Sequence, residues 1–169
     1  MGDNKLSMII HIINRQNICK PNKSKIKAIL NFFLAISAPD DANAHWAEVS
    51  LLLTNDNGIR QVKRQFFDVD CVTDVISFSS QPQPAEGKRR TAEIVVNMER
   101  ACLEGGKRKG VEHEFALYLA HGCDHLAGND DRTTKERNKM RRRELRWLKK
   151  AARMNLLSDL FGTARKRHS

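Results

Sequence analysis

The stretch AHGCDHLAGNDD, residues 120–131, constrains this chain more than any other. It reads His-x-x-x-His-x-x-Gly-x-x-Asp, with His121, His125, Gly128 and Asp131 at fixed offsets. Helix positions four apart share a face, so the two imidazoles stand one turn apart. Glycine suits the left-handed turn that stops a helix, and Asp131 arrives just after the reversal. A helix that offers two histidines and folds back a carboxylate can hold a metal by three ligands. That leaves one position open for water, the pattern of catalytic zinc. Nickel, iron(II) or manganese are also compatible with this ligand type. A histidine pair alone is as readily a surface pair or a hydrogen-bonded core pair; the added Gly128 and Asp131 favour the metal. Asp131 also precedes the capping Thr133 and suits the positive end of the next helix. Asp130 is the competing ligand, one residue closer to the turn.

The surroundings predict an α+β fold in a single compact domain, with a mixed sheet of about four strands packed with helices. Strands are expected at 8–13, 48–54 and 92–97, and a turn at Thr73-Asp74 feeds another through Phe78. Ile26, Ile29, Leu30, Phe33 and Leu34 recur at helical spacing from Lys23, with Pro39-Asp40-Asp41 as the stop. Asn55-Asp56 caps a helix through Phe66, and a short helix from Met98 closes at Gly105-Gly106. The histidine helix starts near Val111. Its Phe115, Leu119, Gly122 and Leu126 form a core face, beside a polar stripe of Glu114, Tyr118, His121 and His125 that faces a cleft. Gly122 costs about 1 kcal/mol of helix propensity, which a close approach to a strand would explain. Thr133-x-x-Glu136 is a capping box. It starts a long helix whose inner stripe is read as Met140, Leu145, Leu148 and Ala152, and whose basic face runs from Arg141 to Arg153. The domain is expected to span 1–155, with 156–169 a basic, flexible tail.

A net charge of +10 exceeds what solubility needs and points to a polyanion, nucleic acid ahead of a membrane surface. No apolar run approaches the ~20 residues needed to span a bilayer. Four scattered cysteines without a C-x-x-C pair read as free thiols in a reducing cytoplasm. Cys123, two residues from either histidine, points off their face. Zinc bound by such ligands lowers the pKa of its water toward ~7 and suits hydrolysis of an amide or a phosphodiester. Zinc proteases of the H-E-x-x-H pattern keep a glutamate after the first histidine as general base. Here that position is Gly122, so a metalloprotease-like hydrolase becomes the second reading, although the spacing resembles that of the metzincins.

His121-Gly122, His125-Leu126, Gly128 and Asp130 resemble the H-G-x-L-H-L-x-G-x-D-H signature of the YbeY endoribonucleases. Thr73-Asp74-Val75-Ile76-Ser77-Phe78 is similar to that family's T-D-V-L-S-F segment, and Ala92-Glu93-Ile94-Val95-Val96 to its G-D-I segment. The resemblance spans about residues 8–148. It implies one zinc per chain held by His121, His125 and Asp131. It further implies a metal-dependent, single-strand-specific endoribonuclease in 16S rRNA 3′-end maturation and ribosome quality control. The partners implied are ribosomal RNA and the small ribosomal subunit, with no membrane.

Several letters depart from the pattern. The third histidine is Asp131, which lowers the site's net charge by one. The leucine between the histidines is Asp124, a charge that needs a partner or solvent. An asparagine and an arginine often found before the T-D-V segment align with Lys63 and Phe67. Arg60, Lys63 or Arg64 is then expected to supply the charge, with Lys88, Arg89, Arg90, Lys107, Arg108, Arg142 and Arg146 along the RNA backbone. Such charge runs are equally a solvated face. With Trp46, Tyr118 and Trp147 so few, platforms for base stacking are scarce. A third reading is a non-catalytic ribosome assembly factor with structural zinc.

Overall fold

Each apolar run in this chain is long enough for one element and is closed by a polar or glycine-containing connection. The structure, a computed structural model, describes residues 8–37, 46–80 and 90–162. The elements are β1 (Ile9–Asn14), β2 (Lys20–Pro21), α1 (Lys23–Ser37), β3 (Trp46–Thr54), α2 (Asp56–Phe67) and β4 (Val75–Ser80). They continue as β5 (Arg90–Asn97), α3 (Met98–Lys107), α4 (Val111–Leu126), α5 (Thr134–Arg153) and β6 (Phe161–Gly162). The sheet order is β1-β3-β5-β4, with the first three strands parallel and β4 antiparallel to β5. The fold is therefore α+β with a mixed four-stranded sheet, as expected. The stop at Pro39-Asp40-Asp41 and the basic loop before Arg90 lie outside the described residues.

The main core lies on one sheet face. Ile26, Ile29, Leu30, Phe33 and Leu34 of α1 are all buried, as are Val49, Leu51 and Leu53 of β3. Successive strand residues face opposite ways. Ile94 and Val96 therefore join that core, while Val95 joins a smaller cluster with Ile59 and Ile76 beneath α2. Helix α4 packs on β4 and β5 and is flanked by α1, α3 and α5. Gly122 makes that seat possible: a Cβ there would lie 3.3 Å from Ile94 Cγ2 and 3.3 Å from Val75 Cγ2. Among the described residues no helix is long and apolar enough to cross a membrane.

Three expectations change. Helix α3 runs through Gly105-Gly106 to Lys107. Gly105 serves close approach there, because a Cβ would meet the Gly110 carbonyl carbon and Val111 N at 2.7 Å. The inner stripe of α5 is Met140, Glu144, Trp147, Leu148 and Ala151, whereas Leu145 and Ala152 are exposed. The helix is rotated so that a carboxylate, not an apolar side chain, faces α4. Finally, the chain beyond 155 is not all loose: Leu160 is fully buried and β6 pairs antiparallel with β2. Residues 163–169 lie outside the described ones.

Candidate metal centre

Packed on β4 and β5 and flanked by three helices, α4 turns one strip to a cleft. Glu114, Tyr118, His121 and His125 line a cleft of about 860 Å³, as the polar stripe predicted. The helix ends at Leu126. Gly128 takes φ +89°, the left-handed region open to glycine, and the chain reverses. The reversal brings Asp131 into the same cleft. Asp130 turns away: it pairs with Arg132 at 2.7 Å and accepts from the Asp131 amide.

Nε2 of His121 lies 3.0 Å from Nε2 of His125, and the rings meet edge to face. Asp131 places Oδ2 3.7 Å from the first Nε2 and Oδ1 3.9 Å from the second. One ligand atom from each of the three lies within 4.8 Å of the others. Tetrahedral zinc with bonds of ~2.0–2.1 Å spaces its ligand atoms about 3.3 Å apart, so the histidine pair is near that spacing and the Asp131 carboxylate has to draw closer to complete it.

The outer nitrogens explain why the inner ones converge. His121 Nδ1 lies 2.6 Å from Glu144 Oε1, and His125 Nδ1 lies 3.0 Å from the Asn129 carbonyl oxygen. A carboxylate and a carbonyl only accept, so both Nδ1 atoms donate. Where both rings are neutral, each turns an Nε2 lone pair toward the other. Two lone pairs 3.0 Å apart repel, and either a metal ion between them or a proton on one Nε2 relieves that repulsion. The donor set thus fits a metal, with both histidines fixed by outer hydrogen bonds as metal ligands usually are.

Glu144, only 2% exposed, reaches His121 from α5. Burial disfavours a charged His121 ring. The Glu144 hydrogen bond and the charges of Glu144, Asp74 and Asp131 outweigh it, and His121 lies above the ordinary histidine value. Asp124, fully buried, has the partner its charge requires. Arg143 donates through Nε at 3.0 Å to both carboxylate oxygens and through Nη2 at 2.8 Å. Asn129 Nδ2 donates to the same carboxylate at 2.9 Å. Burial still pushes the Asp124 carboxyl up, with Arg143 opposing. Because Asn129 also receives His125 Nδ1, the chain Arg143–Asp124–Asn129 sets the second ring. Cys123 is buried off the histidine face, and its thiol is pushed up by that burial. Glu144 and Arg143 were not named as site residues from the sequence. The available signal was one acid in a basic run, three residues after Arg141 and on the Met140–Leu148 stripe.

The expected RNA contacts scatter. Arg60 and Arg64 both pair with Asp70, and Lys63 Nζ lies 3.1 Å from Cys71 Sγ. Arg90 stacks over Trp46 where the central strands β3 and β5 begin, 4.5 Å from the ring centre. Lys107 pairs with Glu104. Arg142 and Arg146 are exposed on α5 and do not line the cleft. Arg108 does line it, together with Arg100, Arg137 and Arg141. Lys88 and Arg89 lie outside the described residues.

The chain is similar to several known proteins. A relative from Moorella thermoacetica, named Endoribonuclease YbeY, is 31% identical over 130 residues, covering 72% of this chain and 83% of that one. One of the same name from Desulforamulus reducens is 28% identical over 145 residues, 81% of this chain and 93% of that one. For an Anaeromyxobacter relative of that name the match is 34% over 99 residues, and the chain spans about half of its length, 51%. A solution structure from Thermotoga maritima shares the fold with a TM-score of 0.52 at 20% identity, covering 94% of this chain and 100% of that one. The family model described as Endoribonuclease YbeY matches residues 11–152. The chain therefore belongs to the YbeY endoribonuclease family, whose members are nucleases acting on RNA.

Proposed function

We propose that this protein is a metal-dependent, single-strand-specific endoribonuclease with one zinc held by His121, His125 and Asp131. The observation that carries the reading is the convergence of His121 Nε2, His125 Nε2 and the Asp131 carboxylate at the wall of an open cleft, with the two Nε2 atoms 3.0 Å apart. Zinc supplies Lewis acidity and a water acidified toward neutral pH when bound.

The chain's own residues orient and select. Glu144 holds the His121 ring and Asn129 the His125 ring, so both lone pairs stay aimed at one point. Asp131 contributes a negative charge where the family pattern has a histidine, so the surrounding cations have to attract the phosphodiester. Scarce exposed aromatic rings around the cleft fit weak sequence preference, with selectivity imposed by the context of the RNA. The substrate we assign is the 3′ end of 16S rRNA on the small ribosomal subunit in the cytoplasm, in maturation and quality control.

Gly122 faces the sheet, where a glutamate side chain has no room, and this weighs against metalloprotease chemistry. The open cleft beside the three ligands weighs against a purely structural zinc. The test is cleavage of single-stranded and duplex RNA, with casein alongside, by purified protein with and without chelator. The proposal expects chelator-sensitive cleavage of single strands only. Cleavage of casein alone, or of nothing by zinc-loaded protein, would overturn it.

A further inference from the structure

Four guanidinium groups share the cleft with the histidine pair, those of Arg100, Arg108, Arg137 and Arg141. Two of them are neutralised. Arg100 donates to Asp56 through Nε at 3.2 Å and Nη2 at 3.4 Å. Arg108 pairs with Glu114 at 3.0 Å and lies 3.6 Å from Glu104. The other two are not. Among the described residues Arg137 donates from Nη2 only to the uncharged Asp131 carbonyl at 3.4 Å. Arg141 enters no ion pair among the described residues while lining the same cleft.

Arg137 and Arg141 are four apart on α5, and Glu144 follows three later, so all three share a helix face. Glu144 is the residue that touches His121. Two uncompensated cations therefore stand one and two turns from the residue that holds a proposed metal ligand. Their sign matters, because Asp74, Glu104, Glu114, Asp131 and Glu144 all line this cleft. A polyanion entering it meets five carboxylates and needs cations not already paired. Helix α2 does not provide them: Arg60 and Arg64 are bound to Asp70, Lys63 lies against Cys71 and does not line the cleft, and Phe67 stacks on Phe78 with ring planes 12° apart.

We propose that Arg137 and Arg141 form a phosphate clamp on α5 that holds the backbone of single-stranded RNA across the metal centre. This rests on the endoribonuclease reading and names the residues that position its substrate. Guanidinium forks suit phosphate oxygens, and the clamp reads backbone rather than base.

The test uses full-length, zinc-loaded protein with Arg137→Gln, Arg141→Gln, the double variant, and Arg→Lys at each position. Lys150→Gln, on the side of α5 away from Arg141, is the control. Bound metal is measured first. Cleavage of a single-stranded oligoribonucleotide then gives kcat and KM, and anisotropy of a cleavage-resistant 2′-O-methyl strand gives binding against salt. The clamp predicts unchanged metal content and KM raised on the order of tenfold in the double variant, with kcat changed less. The salt slope should fall by about 0.7 per arginine lost. The lysine variants should keep the slope, and Lys150→Gln should match the parent. A double variant with parental KM and salt slope would overturn the clamp, as would loss of bound metal, which would make these residues supports of the Asp131 turn. Failure of the parent to cleave any RNA would sink the endoribonuclease reading instead, while the salt slope would still decide the clamp.

Discussion

Glu144 on α5 holds Nδ1 of His121 on α4 at 2.6 Å, from a position only 2% exposed. The contact fixes which nitrogen carries the proton and leaves Nε2 free for a metal. Removing such a partner typically costs about 10–100-fold in metal affinity. Glu144→Ala should weaken zinc binding by that order in a chelator competition. Glu144→Gln, which can still accept from Nδ1, should lose less. Parental affinity in folded Glu144→Ala protein would separate this residue from the site.

The buried pair of Asp124 and Arg143 has a different signature. Breaking a buried ion pair from one side costs about 3–5 kcal/mol, while replacing both partners with apolar groups is often neutral. Arg143→Met should destabilise by that amount in denaturant titration. The double variant Asp124→Leu with Arg143→Met should recover most of it. A double variant as unstable as the single one would show that Asp124 matters through Asn129 rather than through Arg143.

Gly122 sits where a methyl group would touch Ile94 and Val75 at 3.3 Å. Alanine would gain about 1 kcal/mol of helix propensity, against about 1–3 kcal/mol for overpacking. Gly122→Ala should therefore lose roughly 1 kcal/mol of stability on balance and Gly122→Val more, as read by the urea midpoint. An alanine variant more stable than the parent would mean the sheet yields more easily than its packing indicates.

Burial pushes the Cys19 thiol up to about 12 and raises Cys102 and Cys123 as well. In the unfolded chain these thiols ionise near about 8.5. Above that pH the unfolded state has lost protons that the folded state keeps, so stability falls as pH rises. The urea midpoint should drop between pH 8 and pH 10, less steeply in Cys123→Ala. In the folded protein at pH 8, exposed Cys71 should react first with a thiol reagent and buried Cys123 only on unfolding.

The sequence carried the features whose cause is local. A four-residue spacing puts His121 and His125 on one face, Gly128 turns the chain, and Gly122 signals close packing, and all three stand in the structure. Contacts made between helices were not legible. Glu144 and Arg143 lie in a basic run that reads as solvated, and only the rotation of α5 against α4 shows that both point inward. The same rotation exposes Leu145 and Ala152, which the apolar pattern had placed inside. The pairing of β2 with β6 was hidden because two-residue strands carry no periodicity. Arg60 and Arg64 looked free because Asp70, which neutralises them, lies past the end of α2.

On the proposed function, His121, His125 and Asp131 hold one metal that RNA cleavage requires. The most direct measurement is metal content per chain, taken together with cleavage of single-stranded RNA, for the parent and for His121→Ala, His125→Ala and Asp131→Ala. About one zinc per parent chain is expected, with metal and cleavage lost together in each folded variant. Cleavage should also be lost on chelation and restored by zinc. Full cleavage by any of the three variants without bound metal would contradict it.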